Sequence, residues 1–396
     1  MDVMELFKKL LKKLVIPLTL ALIIFMGNGD FIASAATESD NSDDKGQIEL
    51  TLEEAVKRAL ENSDLLEVAE NNVEKARIEK EDTWDLYNGF LINTHIPGTD
   101  MYAAVSSDLD PSGLVFKTLY NWKVAKKDYE KKIASTIANA YKNYAAVLSA
   151  KDEVEAEKLN VQQLEREVFI AEAKWQVGME VKSNVIGKQA ELARARAELE
   201  NAYSNLNKAY DSLNDLTGMP ENSKPELTST VEYKPFEVEN LDYTVDKIAD
   251  NSPEVWKAKE TVELIKDTYG MTNSYDVDKQ NLKNARLGVD ITHDQLCLAI
   301  KQIYYGIKDL EAAYNSAQDG LAAAEEGLRS AQMLYEVGMA TQNDVIKAEA
   351  AVAAAKAALN KLAWQHEIAV RTFYEPWAWM DAGATSGNRA DNTASM

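Results

Sequence analysis

Cysteine, proline and glycine are scarce in this chain, with 1, 8 and 17 among 396 residues. The single cysteine, Cys297, excludes a disulfide framework and a cysteine-based metal cluster. Three histidines, His95, His293 and His366, stand far apart and offer no ligand spacing. With so few helix breakers, Ala, Glu, Lys and Leu dominate long stretches, which argues for long helices and against an all-β fold. Positive charge is also deficient. Lys and Arg number 43 against 65 Asp and Glu, a formal charge of −22, so nucleic acid is not an expected partner. No glycine-rich phosphate loop and no grouping of nucleophile, base and orienting acid is visible. The chain is therefore expected to be no enzyme and to hold no cofactor or metal. The acids read as solvated helix faces. Cys297, among Leu296, Leu298 and Ile300, reads as a packing residue.

Long apolar runs are missing too, except near the start. Lys8, Lys9, Lys12 and Lys13 precede the run Leu14–Met26, and Ala33-Ser34-Ala35 follows at cleavage-site spacing. That order describes a secretory signal over residues 1–35. The run is shorter than the roughly 20 residues a spanning helix needs. An uncleaved N-terminal anchor is the alternative. Cleavage removes four lysines and three acids and leaves the mature chain one unit more negative. Residues 36–48 and 382–396 are polar and read as a flexible leader and tail.

What remains is duplicated. Trp175-Gln-Val-Gly-Met-Glu-Val-Lys-Ser-Asn-Val-Ile returns as Tyr335-Glu-Val-Gly-Met-Ala-Thr-Gln-Asn-Asp-Val-Ile, 160 residues on. Tyr144 and Tyr304 share that offset. Glu61-Asn62-Ser63-Asp64 resembles Asp250-Asn251-Ser252-Pro253 at an offset of 189. Each repeat thus holds a leading helix and a long helical hairpin. Repeat 1 spans 49–217, a linker with Pro220, Pro225 and Pro235 spans 218–243, and repeat 2 spans 244–381.

The arms carry coiled-coil spacing. Leu310, Tyr314, Ala317, Leu321, Ala324, Leu328, Ala331 and Tyr335 alternate steps of four and three. Val345, Ala348, Val352, Ala355, Leu359 and Leu362 mark the return arm. Ala150, Val154, Val161, Leu164, Val168, Ala171 and Trp175 repeat the stripe in the first hairpin, interrupted at Glu157. Such stripes bury one helix face against another. Thr51 with Glu54 forms a capping box, and Ser252 precedes a proline at the first helical position. Gly178 and Gly338 stand where an outgoing arm needs a left-handed residue. Arms of some 60 residues, roughly 90 Å long, carry more apolar stripe than one chain covers. Self-association into a closed ring is expected.

The sequence from about Leu50 to Phe373 resembles the TolC-like outer-membrane efflux protein family. Leu50-Thr-Leu-Glu-Glu-Ala-Val-Lys-Arg-Ala-Leu-Glu-Asn-Ser, the two Val-Gly-Met turns with their following Val-Ile, and Leu216-Thr-Gly-Met-Pro220 carry the likeness. The resemblance implies an α-barrel of three protomers continued by an outer-membrane β-barrel, with two strands from each repeat. It also implies a membrane-fusion adaptor protein and an inner-membrane transporter as partners, and a location in the cell envelope. Here the strands lack room. A spanning strand needs about 9–11 residues, and repeat 2 offers only Tyr269–Tyr275. Repeat 1 offers Asn88–Phe116, broken by Pro97, Gly98, Asp100, Asp108, Asp110 and Pro111. The expected fold is all-α, with duplicated antiparallel hairpins and a vestigial or absent β-barrel, and membrane contact is left open.

Two sites follow from the resemblance. The tips Val177, Gly178, Met179, Val337, Gly338 and Met339 would dock the adaptor; the alternative is a plain helix-ending turn. Asp344 matches a position where acids of three protomers line a closed aperture. The next family acid falls on Lys347, and Asn184 and Gly187 are the repeat 1 equivalents. The alternative for Asp344 is local: Thr341 caps the helix and Asp344 serves its positive end. Trp377 and Trp379 read as packing of the last turn. The expected function is an efflux conduit component for small molecules or peptides, doing no chemistry. The competing readings are a structural envelope spacer without transport and, less in keeping with the absence of β-rich flanks, the adaptor itself.

Overall fold

A computed structural model describes residues 49–94, 112–271 and 273–379. The signal, leader and tail expected at 1–35, 36–48 and 382–396 lie outside the described residues, as does His95. The order is β1 (Glu49–Leu50), α1 (Leu52–Glu61), α2 (Asp64–Thr94), α3 (Ser112–Gln176), α4 (Lys182–Thr217), β2 (Glu226–Leu227), α5 (Leu241–Asp250), α6 (Pro253–Asp267), α7 (Tyr275–Glu336), α8 (Gln342–Tyr374) and α9 (Pro376–Trp379). Both duplication offsets appear in the helix ends. α3 and α7 finish 160 residues apart, and α1 and α5 begin 189 apart.

α3 is 65 residues long and α7 is 62, roughly 95 Å each at 1.5 Å per residue. No helix among the described residues is long and apolar enough to cross a membrane. On the tip side of the middle, the packed order is α4–α3–α8–α7. On the other side it is α2–α3–α6–α7. α3 is therefore interior along its whole length, and α7 is an edge along its whole length. Neighbours run antiparallel: Lys188 on α4 pairs with Glu167 on α3, Asn360 on α8 bonds Asp152 on α3, and Tyr120 on α3 meets Thr261 on α6.

The core sits at the middle of the rods. Tyr144, fully buried, packs with Leu50, Val147, Leu213 and Trp364. Its hydroxyl donates to Leu50 O at 3.0 Å and accepts from Ser229 N at 2.9 Å. One phenol thereby fastens β1 and the linker to α3. β1 and β2 form one parallel pair of two residues each, the only strands among the described residues. A second core gathers Phe236, Val245, Ile300, Ile307 and Phe373. Trp379 is buried against Ala134, Ala138 and Tyr141, and Lys142 donates to its carbonyl at 2.6 Å. The last turn thus packs on α3.

Several local expectations need correction. Thr51 Oγ1 accepts from Glu54 N at 3.2 Å, but the Glu54 carboxylate turns to Arg58 on the next turn instead of back to the cap. Only half of that capping box forms. The linker reaches Asn240 and not Tyr243, because Asn240 Oδ1 accepts from Tyr243 N and starts α5 at Leu241. The window Asn88–Phe116 is narrower than expected. Helix continues to Thr94 and resumes at Ser112; residues 95–111 lie outside the description. Trp175 and Tyr335 close the seams on the surface, since both stand at hairpin ends.

In repeat 2 the chain turns back between α6 and α7, with no strand among the described residues of the turn. Gly270, at φ +74°, supplies the left-handed residue. Asp278, nearly buried, accepts from Gly270 N at 2.8 Å and Asn273 Nδ2 at 3.0 Å. Those hydrogen bonds, the Gly270 amide first, hold its carboxyl below the usual aspartate range. Tyr269 and Tyr275 meet edge to face beside it.

Candidate functional site

The hairpin tips are built alike. α3 ends at Gln176 and Gly178 follows at φ +77°; α7 ends at Glu336 and Gly338 follows at φ +76°. Met179 N donates to Lys174 O and Gly178 N to Trp175 O. Met339 N donates to Leu334 O and Gly338 N to Tyr335 O. These are paired Schellman closures that satisfy the last carbonyls of both arms. They leave flanking side chains outside. Val177, Met179, Val337 and Met339 are 69, 77, 68 and 78% exposed. A Cβ on either glycine would meet nothing within 4 Å. Arg166 Nη2 donates to Gln342 Oε1 at 3.0 Å and links the two hairpins near this end.

The helices leaving the tips differ. Thr341 Oγ1 accepts from Asp344 N at 3.3 Å, and Asp344 Oδ2 accepts from Thr341 N at 2.7 Å. This is a complete capping box. The Thr341 amide and hydroxyl, with help from Lys347, draw the Asp344 carboxyl below its ordinary value. In repeat 1 the cap position holds Val181, which has no side-chain acceptor, and Asn184 is exposed.

A third grouping escapes linear spacing. His293 and Cys297 stand one turn apart on α7, and Asp246 reaches them from α5. His293 Nε2 lies 3.3 Å from Asp246 Oδ1. Cys297 Sγ lies 3.7 Å from His293 Nδ1 and 3.9 Å from Nε2. One ligand atom from each of the three residues falls within 4.8 Å of the others. Cys297 is half-buried at the margin of the second core. Burial first, then Asp246 and Asp294, push its thiol up. The i, i+4 step between His293 and Cys297 was the available signal; Asp246 lies 47 residues upstream and enters only through packing.

The family of outer membrane efflux proteins matches residues 115–219 and 245–377. The chain belongs to that family. No curated protein matches it in sequence. Among solved structures, CusC, whose crystal structures concern transmembrane channel formation, is 11% identical with a TM-score of 0.60, covering 85% of this chain and 92% of that one. The CmeC outer membrane channel of Campylobacter jejuni is 15% identical with a TM-score of 0.58, covering 91% and 94%. The outer membrane protein VceC of Vibrio cholerae is 13% identical with a TM-score of 0.54, covering 84% and 95%. At these identities the likeness is one of fold. The fold is the duplicated helical-hairpin fold of this family, with strand among the described residues reduced to one two-residue pair.

Proposed function

We propose that three copies close into an α-helical tube that conducts small molecules or peptides through the cell envelope and itself performs no reaction. One observation carries the reading: an unpartnered apolar stripe along the α7 edge. Leu287, Ile291, Leu298 and Tyr305 are exposed at steps of four, seven and seven. They share one face of α7 over roughly 27 Å. The opposite edge offers Ile186 and Tyr203 on α4, and Leu65, Val68 and Leu86 on α2, also exposed. An α7 edge meeting the α4 and α2 edge of a second copy is a head-to-tail contact, the kind that closes into a ring when the rotation between copies completes a turn. Membership of the efflux family and the likeness to channel structures support the same reading. In the tube, the tips Val177-Gly178-Met179 and Val337-Gly338-Met339 would receive a membrane-fusion adaptor coupled to an inner-membrane transporter. Asp344 and Asn184 would stand near the aperture.

Two measurements test this. Replacing Ile291 and Leu298 with Asp should convert a trimer to monomers in sedimentation without loss of helical circular dichroism. A wild-type chain that sediments as a monomer defeats the tube. Replacing Val177, Met179, Val337 and Met339 with Ser leaves both glycine turns intact and should abolish adaptor capture and raise drug accumulation. Unchanged capture defeats the docking role. The competing reading, an envelope spacer without transport, draws on the turn between α6 and α7, whose described residues hold no strand. Accumulation that is the same with and without the chain, across compound classes, favours it.

A further inference from the structure

We propose that Asp246, His293 and Cys297 form a binding site for a divalent transition metal of the zinc type, joining α5 to α7 on the outside of the second core. The donors are one carboxylate, one imidazole and one thiolate, which is a ligand set for zinc and unlike the all-oxygen sets of calcium and magnesium. Bond lengths of 2.0–2.3 Å in a tetrahedral site place neighbouring donor atoms roughly 3.3–3.6 Å apart. His293 Nε2 and Asp246 Oδ1 already stand at 3.3 Å. Cys297 Sγ and His293 Nε2 stand at 3.9 Å, and the three donor atoms lie within 4.8 Å of one another, so binding draws the sulfur and the exposed Asp246 carboxylate inward.

The surroundings fit a cation. His293 and Cys297 are fixed on one face of a long helix, one turn apart. Asp246 is exposed and free to adjust, and its helix is held by Val245, Ile248 and Ala249 in the core behind it. Asp250 Oδ1 lies 3.9 Å from His293 Nε2 and is bridged to Lys259 at 2.9 Å. Asp294 Oδ1 lies 3.7 Å from His293 Nδ1, beyond hydrogen-bond reach, and adds negative charge beside the ring. The nearest lysine on α7, Lys301, is taken up by Asp242 at 2.6 Å. Three protein ligands leave a fourth position for water. When the ion binds, a metal–sulfur bond replaces the sulfur–proton bond, and the proton passes to solvent. The bound metal would clamp α5, the leading helix of repeat 2, to α7.

Cobalt(II) serves as the probe, with the full chain purified reduced and stripped of metal. One equivalent should bind with the visible bands of a tetrahedral site and a sulfur-to-cobalt charge-transfer band. Zinc should then displace it. Cys297→Ser should abolish the charge-transfer band, and Asp246→Asn, on an exposed side chain, should weaken binding about a hundredfold. Circular dichroism should show unchanged helix in both. The proposal is overturned if cobalt binds without a charge-transfer band, if that band survives in Cys297→Ser, or if no stoichiometric binding occurs.

Discussion

α3 and α7 are the outgoing arms of one duplicated hairpin, nearly equal in length and matched in seam spacing, yet they are buried very differently. α3 buries residues along most of its length, from Val115 and Thr118 through Tyr144 and Val161 to Ala171. α7 buries only Asp278, Ile300 and Ile307. Seam equivalents show it directly: Val161 is buried, and Leu321, at the same place 160 residues on, is half-exposed. The cause is position in the layer. α3 has a long helix on both flanks in both halves of the molecule; α7 has one long helix in each half, with the short α5 laid against its middle. A coiled-coil stripe therefore states that a helix face wants a partner, and says nothing of whether its own chain supplies it.

The matched tyrosines make the strongest test of that contrast. Tyr144→Ala removes a fully buried ring and both hydroxyl bonds, and should cost about 3–5 kcal/mol in urea unfolding. Tyr304→Ala removes a half-buried ring packed on Phe236 and Phe373 and should cost about half of that. Equal losses would break the interior-versus-edge distinction.

The return arms provide a smaller one. Thr341→Ala opens the capping box of α8 and should lower stability by about 1 kcal/mol. Val181→Thr with Asn184→Asp writes the same box into α4 and should raise it by about 0.5–1 kcal/mol. Thermal unfolding of the two variants checks both signs. A neutral effect in repeat 1 would mean that α4 is held by its contacts with α3 alone.

The smallest effect is one of acid stability, and it too belongs to repeat 2. Burial raises the Glu311 carboxyl, but Lys308 and the Phe236 amide outweigh it and hold the group below its usual range. Asp344 is lowered by Thr341. A carboxyl depressed on folding contributes its stability in full above the unfolded value, and loses it as pH falls through the folded value. Stability should therefore drop below the ordinary carboxylate range. Glu311→Gln and Asp344→Asn should each flatten that acid limb in urea titrations, Glu311 more because it is mostly shielded from water.

Much of this was legible in local spacing. Helix ends need a left-handed residue, so Gly178 and Gly338 announced the tips, and Ser252 before Pro253 announced α6. These signals act within a few residues, where the chain cannot avoid them. The less legible features turn on competition or distance. Glu54 had two partners within reach and chose Arg58. The three donors at Asp246, His293 and Cys297 meet only because α5 folds onto α7.

Read alone, the residues determined that two similar hairpins exist, where each turns and which helix faces are apolar, because backbone hydrogen bonding and side-chain period are local properties. Only the tertiary structure decided that α3 lies inside and α7 at the rim, and which stripe is left for another copy. Burial depends on neighbours far away along the chain, and spacing within a single helix carries no record of them.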